Sequence, residues 1–154
     1  MDLIDRNILD LLQADASLSI SEIAKKVCLS QTPCWKRIQK LENLGIIKGK
    51  VALLDSKKLN LGLTVFVQLK TDKHDESWLT KFAEAVREMP EVVEVYRMAG
   101  EIDYLLRVVV SDTDSYDRFY KALIKKVPLT DVSSSFAMEE IKYTTALPIK
   151  LTNE

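Results

Sequence analysis

The sequence predicts an α+β protein: three N-terminal helices, the last two arranged helix-turn-helix, then a domain of order β-α-β-β-α-β. Three observations predict it. Apolar residues recur at helical spacing as far as Gly45, the repeat falls to two residues from Leu63, and basic side chains collect between Ala24 and Lys50. At 154 residues, with 47% hydrophobic and 29% charged content, the chain has material for one medium domain or two small ones.

Asp2 or Asp5 can cap a first helix in which Ile4, Ile8, Leu11 and Leu12 share a side, ending near Asp15 and Ala16. Ser19 and Glu22 have the spacing of a capping box, in which two side chains satisfy each other's free backbone amides, so a short second helix starts at Ile20. Its stripe is Ile20, Ile23, Ala24 and Val27. Ser30 then caps a longer third helix, with Pro33 tolerated in the first turn and Cys34, Ile38 and Leu41 facing inward. The first helix packs behind the other two, because a two-helix hairpin cannot bury enough surface alone. The segment from Ile46 to Leu54 has β character broken by Gly49 and reads as a small wing or a connecting strand.

Residues 55–62, Asp-Ser-Lys-Lys-Leu-Asn-Leu-Gly, form the one polar, turn-rich linker. They divide a domain at 1–54 from one at 63–154. In the second, Leu63, Val65, Val67 and Leu69 alternate with polar neighbours as a half-buried strand does. Leu79, Phe82, Ala83 and Val86 form a helical stripe between an Asp75 cap and a stop at Pro90. Val92 to Met98 and Tyr104 to Val110 are two strands of a hairpin with Gly100 at the bend. Asp112 opens a helix with Tyr116, Phe119, Tyr120 and Leu123 inward, closed by Pro128, and Val132 to Thr144 is a fourth strand. This order is the split βαβ, ferredoxin-like arrangement, an antiparallel sheet with both helices on one face. The other face, with Thr64, Phe66, Tyr96 and Met98 or their neighbours of opposite parity, then needs cover, and a second copy of the chain supplies it.

Charge points to a partner for the helical half. Between Ala24 and Lys50 seven basic residues (Lys25, Lys26, Lys36, Arg37, Lys40, Lys48, Lys50) face one acid, Glu42, on a chain of net charge −1. Such segregation makes a footprint for phosphates on an otherwise mildly acidic protein. Gln31, Thr32, Lys36, Arg37, Gln39 and Lys40 lie on the outer side of the third helix, which suits a major groove. No apolar run approaches the roughly 20 residues of a membrane span, and Met1 to Asn7 lacks the features of a signal peptide, so a cytoplasmic protein is expected. Cys28 and Cys34 both fall on apolar helical faces, which suits reduced core thiols better than a disulfide, a metal site or a redox sensor.

The run from Ile4 through Ala16, the stretch Leu29 to Gly49, the motif Gly100-Glu101-Ile102-Asp103-Tyr104-Leu105-Leu106 and the segment Met138 to Lys142 together resemble the Lrp/AsnC, or feast/famine, family of transcription regulators. The resemblance covers nearly the whole chain. It implies a cytoplasmic, nucleoid-associated regulator that binds double-stranded DNA and a free amino acid and needs no cofactor. It also implies a sheet-to-sheet dimer that assembles into an octamer as a tetramer of dimers, with the effector between neighbouring dimers. Carried over, the DNA-binding positions are Ser30, Gln31, Thr32, Trp35, Lys36, Arg37 and Lys40. Gln31, Thr32 and Lys36 are the candidates for base edges, and Ser30, Arg37 and Lys40 for phosphates. Trp35 either touches DNA or packs under the helix.

The implied effector-binding positions are Met98, Gly100, Glu101, Asp103, Tyr104, Val132 and Ser134. Free amides around Gly100 could take an α-carboxylate and Asp103 an α-ammonium; the plainer role for Asp103 is pairing with a local amide or with Arg107. Val132 stands where the family often has a hydroxyl residue, and with Met98 it favours an apolar effector such as leucine or methionine. Two other functions compete. One is a nucleoid-architectural protein without a working effector site. The other is an enzyme like the tetrapyrrole decarboxylases that share this architecture, for which the chain offers only His74, in a charged loop.

Overall fold

The computed structural model describes residues 1–149. The helices are α1 (Leu3–Ala14), α2 (Ile20–Lys26), α3 (Gln31–Asn43), α4 (Glu76–Arg87) and α5 (Thr113–Lys126). The strands are β1 (Leu63–Lys70), β2 (Val92–Arg97), β3 (Tyr104–Val110) and β4 (Asp131–Phe136), and a single 3₁₀ turn spans Lys57–Leu59. The chain divides into two compact units, Met1–Leu53 with the segment from Lys142 onward, and Leu54–Ile141. Where the sequence places everything after residue 62 in one domain, this division counts the end of the chain with the helical unit. Residues 150–154 of that expected domain lie outside the described residues.

In the helical unit the expected capping box of α2 forms, and the cap expected at α1 is a second capping box, which Asp2 and Asp5 make together. The amide of Asp5 donates to Asp2 Oδ1 at 2.8 Å and that of Asp2 to Asp5 Oδ2 at 3.2 Å, while Ser19 and Glu22 do the same for α2. Ile8, Leu9, Ile23, Ala24, Val27, Cys34, Ile38 and Leu41 make the core. Gln13 grips the returning end of the chain, accepting the Leu147 amide at 2.6 Å and donating to its carbonyl at 3.3 Å, and Ile149 packs against the core.

Helices α2 and α3 end in the same way. After α3, Gly45 sits at φ +69°, its amide bonds Glu42 O and the next amide, of Ile46, bonds Leu41 O. After α2, the amides of Cys28 and Leu29 bond Lys25 O and Ala24 O in the same pattern, and Cys28 takes φ +56°. Both are Schellman ends, whose first residue past the helix must be left-handed. Cys28 is therefore exposed, not in the core as its apolar setting suggests, while Cys34 is fully buried and burial pushes its thiol pKa up. The expected wing or strand from Ile46 to Leu54 does not form. No described strand pairs with it, and Val51, Leu53 and Leu54 stand 81%, 64% and 74% exposed.

The second unit is an antiparallel sheet of order β2-β3-β1-β4. Val65, Val67 and Leu69 of β1 and Tyr104, Leu106, Val108 and Val110 of β3 share a core with Trp78, Phe82, Ala85 and Val86 of α4 and Tyr116, Phe119 and Leu123 of α5. The inward stripe of α4 is thus offset from the expected one. Trp78 and Ala85 are inside, Leu79 is 39% exposed, and the Trp78 indole donates to Pro128 O at 2.9 Å. Trp78 stacks on Phe82 at 5.1 Å, and Phe82 lies 4.6 Å from Tyr104. The fourth strand stops at Phe136 rather than Thr144 because β1 begins at Leu63: the Ala137 amide takes Thr64 O, and no further rung remains.

A non-glycine residue held left-handed costs roughly 1–2 kcal/mol. Cys28→Gly is therefore expected to stabilise the helical unit by about 1 kcal/mol, read as a higher denaturant midpoint at unchanged slope.

Candidate nucleic-acid interface and effector site

Helix α3 is fixed from below by Cys34, Ile38 and Leu41, spaced so that all three point into the core. That leaves Gln31, Thr32, Trp35, Lys36 and Lys40 exposed, and Trp35, at 46%, stands outside the core rather than under the helix. Ser30 occupies the cap position with extended backbone, yet its hydroxyl makes no capping bond. The first-turn amides of Gln31 and Thr32 have no intrahelical acceptor, and together with this hydroxyl they offer donors at the positive end of the helix dipole, where an anion is favoured. The side chains of Lys36 and Lys40 enter no ion pair or hydrogen bond among the described residues. Gln39 instead donates to Glu42 at 2.7 Å, and Lys50 lies 3.9 Å from that carboxylate.

Arg37 differs from its neighbours. Its Nη1 donates to Asp2 Oδ2 at 2.6 Å and Asp5 Oδ1 at 2.7 Å. The Asp2 carboxyl pKa is lowered, first by the amide of Asp5 and then by the guanidinium, and that of Arg37 is raised by both acids.

The expected effector residues gather at one end of the sheet. Leu69 pairs with Tyr104 on one side and Val132 on the other, so the β2–β3 bend and the start of β4 flank the same end of β1. At the bend Gly100 takes φ +139°, the Met98 amide bonds Asp103 O at 2.8 Å, and the amides of residues 99–102 donate to nothing among the described residues. Met98, Gly100 and Glu101 are exposed and Asp103 is half-buried. Asp103 Oδ2 accepts the Thr71 amide at 2.8 Å, leaving Oδ1 without a partner among the described residues. Arg107, the other partner considered for Asp103, pairs with Glu94 at 2.7 Å.

Three of the seven turn toward the core instead. Tyr104 is 6% exposed within the aromatic cluster, Val132 packs on the same core, and the Ser134 hydroxyl bonds that of Tyr116. Sequence patterning missed Thr71, a buried polar residue at the end of β1, and Tyr116 as a partner of β4, since neither interrupts an apolar period. Two clefts flank the sheet. One of about 380 Å³ lies between α4 and β2, and one of about 410 Å³ between the end of α5 and β4. Tyr104 lines the first and Val132 the second, but neither reaches the bend. His74 is an exposed loop residue, no group of three or more metal-ligating side chains occurs among the described residues, and no described helix is long and apolar enough to cross a membrane.

Comparison with known proteins accounts for both units. Residues 1–42 match the AsnC-type helix-turn-helix domain and residues 64–147 the Lrp/AsnC ligand binding domain. The chain is 57% identical over 151 residues to the DNA-binding transcriptional activator DecR of Escherichia coli, covering 97% of this chain and 99% of that one. The chain belongs to the Lrp/AsnC family. Among solved Lrp/AsnC structures, an AsnC family transcriptional regulator from Agrobacterium tumefaciens is similar at 58% identity with a TM-score of 0.93, covering 96% of this chain and 97% of that one. A transcriptional regulator from Neisseria meningitidis in complex with L-methionine is similar at 36% identity and a TM-score of 0.91, covering 96% of each chain. This Lrp/AsnC chain is a DNA-binding transcriptional regulator with a ligand-binding domain, and the decarboxylase alternative falls with that assignment.

Each lysine that neutralises a phosphate releases condensed counterion. Lys36→Ala and Lys40→Ala are each expected to weaken duplex binding and to lower the slope of log affinity against log salt by about 1. Fluorescence anisotropy over a salt series measures both.

Proposed function

We propose that this regulator responds to a free amino acid taken up at the Met98–Asp103 bend. One observation carries the reading: four consecutive amides without acceptors lie beside a carboxylate oxygen without a partner, in a half-exposed loop. Amides suit an α-carboxylate and the oxygen an α-ammonium, the two groups that every amino acid shares. Asp103 then has two roles, since Oδ2 holds the end of β1 through Thr71 while Oδ1 faces the ligand. The bend lies outside the two clefts beside α4 and α5, and a second copy of the chain closes the site. Leucine or methionine is favoured by Met98 at the bend, 40% exposed, and by the methionine complex of the Neisseria meningitidis relative. Val132, engaged with the core, adds nothing to that preference.

The DNA-contacting set is Ser30, Gln31, Thr32, Trp35, Lys36 and Lys40, acting in the cytoplasm on the nucleoid. A dimer covers the open face of the sheet and reads two half-sites about one helical turn apart. Four dimers form an octamer that bends a longer operator.

A thermal-unfolding screen of the full chain against the twenty amino acids tests the proposal. A ligand of the folded state adds about 2.7 kcal/mol at a hundred times its dissociation constant. Leucine or methionine is expected to raise the midpoint, and Asp103→Asn, which keeps an acceptor for Thr71 but loses the charge, to abolish the rise. No rise with any amino acid would overturn the sensor and favour the nucleoid-architectural alternative.

A further inference from the structure

Arg37 sits in the middle of α3, between Lys36 and Lys40, and by charge alone it belongs with them as a phosphate contact. Its surroundings say otherwise. The side chain is 31% exposed, and its Nη1 is shared between Asp2 Oδ2 and Asp5 Oδ1 at 2.6 and 2.7 Å. The other oxygens of those carboxylates, Asp2 Oδ1 and Asp5 Oδ2, close the capping box of α1. Each acid thus serves two elements at once: two hydrogen bonds tie α3 to the first turn of α1, and two more, made by the same two side chains, close the cap of α1. The Asp5 side chain is only 10% exposed, one of two buried polar or charged residues among those described.

A phosphate approaching this guanidinium would meet a cluster of net charge −1 rather than a free cation. Stripping a half-buried arginine from two carboxylates would also leave both acids uncompensated. Lys36 and Lys40, one residue before and three after, have no such partners.

We propose that Arg37 is a positioning residue for DNA binding and not a phosphate contact: clasped by Asp2 and Asp5, it fixes the orientation of α3 on α1 and leaves the phosphates to Lys36 and Lys40. This rests on α3 being the helix that meets DNA. The two roles predict opposite effects of removing an acid. If Arg37 bound phosphate, Asp5→Asn would free it and remove a repelling charge, so affinity and salt slope would both rise. As a positioning residue it loses a partner, α3 loosens, and specific binding falls.

The experiment measures affinity of the full-length chain for a duplex enriched by the unmutated protein from a random library, and for an unrelated duplex of the same length, over a salt series. Concentrations are scaled to the folded fraction measured by circular dichroism. Asp5→Asn and Arg37→Met are each expected to lower the ratio of specific to non-specific affinity about tenfold, at a salt slope changed by less than about 0.3. The double variant should lose no more than the worse single one. Arg37→Lys should recover part of the ratio, because an ammonium can hold one carboxylate well but lacks the planar fork. Asp2→Asn, at the exposed end of the cluster, gives the same sign of change should the buried variants fail to fold. A tighter, more salt-dependent Asp5→Asn or Asp2→Asn, or a slope reduced by about 1 in Arg37→Met, would overturn the proposal. If Lys36→Ala and Lys40→Ala leave the slope untouched as well, the fault lies in the assignment of α3 to DNA, and the proposal falls with it.

Discussion

Both helices of the C-terminal unit pack on the same face of its sheet, and the rest of the molecule is arranged around that asymmetry. Alternate residues of β1 and β3 are spent on a core with Trp78, Phe82, Tyr116 and Phe119, so the intervening ones face away from it. Two rows cross that open face. Ser135, Phe66, Arg107 and Glu94 form one; Ser133, Gln68, Leu105 and Tyr96 form the next. The face is less apolar than the sequence suggests, because the Arg107–Glu94 pair sits between Phe66 and Tyr96. Phe66 and Tyr96 still stand 38% and 52% exposed. A patch of this kind, aromatic with a fixed ion pair, suits a self-complementary contact, in which a two-fold axis sets each pair against its copy.

On the proposed function, the same end of the sheet serves structure and sensing. Asp103 anchors the end of β1 through Thr71 and, one residue on, Tyr104 enters the aromatic cluster with Trp78 and Phe82. A ligand drawing on the free oxygen of Asp103 would thus pull on a residue already bonded twice at the end of β1, since its own amide donates to Leu69 O at 2.9 Å. Chemistry at the bend reaches the core through two adjacent residues.

How much of this the sequence disclosed follows from what periodicity measures. Element order, the capping box at Ser19, a cap at Asp2 or Asp5, the bounds of β1 and the hairpin around Gly100 were all readable, because caps, period and turn residues are local signals. Readings failed where a distant partner decides. The strand from Val132 ends eight residues early because β1 offers no further rung, and the stripe of α4 is set by what Trp78 meets at Pro128. Cys28 looked like a core residue because nothing in an apolar pattern reveals that a helix end needs a left-handed residue there. For Arg37 the family resemblance and the local charge both point to phosphate, and neither registers the two acids some thirty residues earlier in the chain that hold it.

The claim on which the account turns is that one copy cannot cover its own sheet, so the working regulator contains at least two. Sedimentation equilibrium of the full-length protein at micromolar concentration addresses it directly. The account predicts a mass of at least twice the 17.5 kDa chain, falling toward the single chain when Phe66 on the open face is replaced by glutamate. A folded species of 17.5 kDa across the concentration range would contradict it.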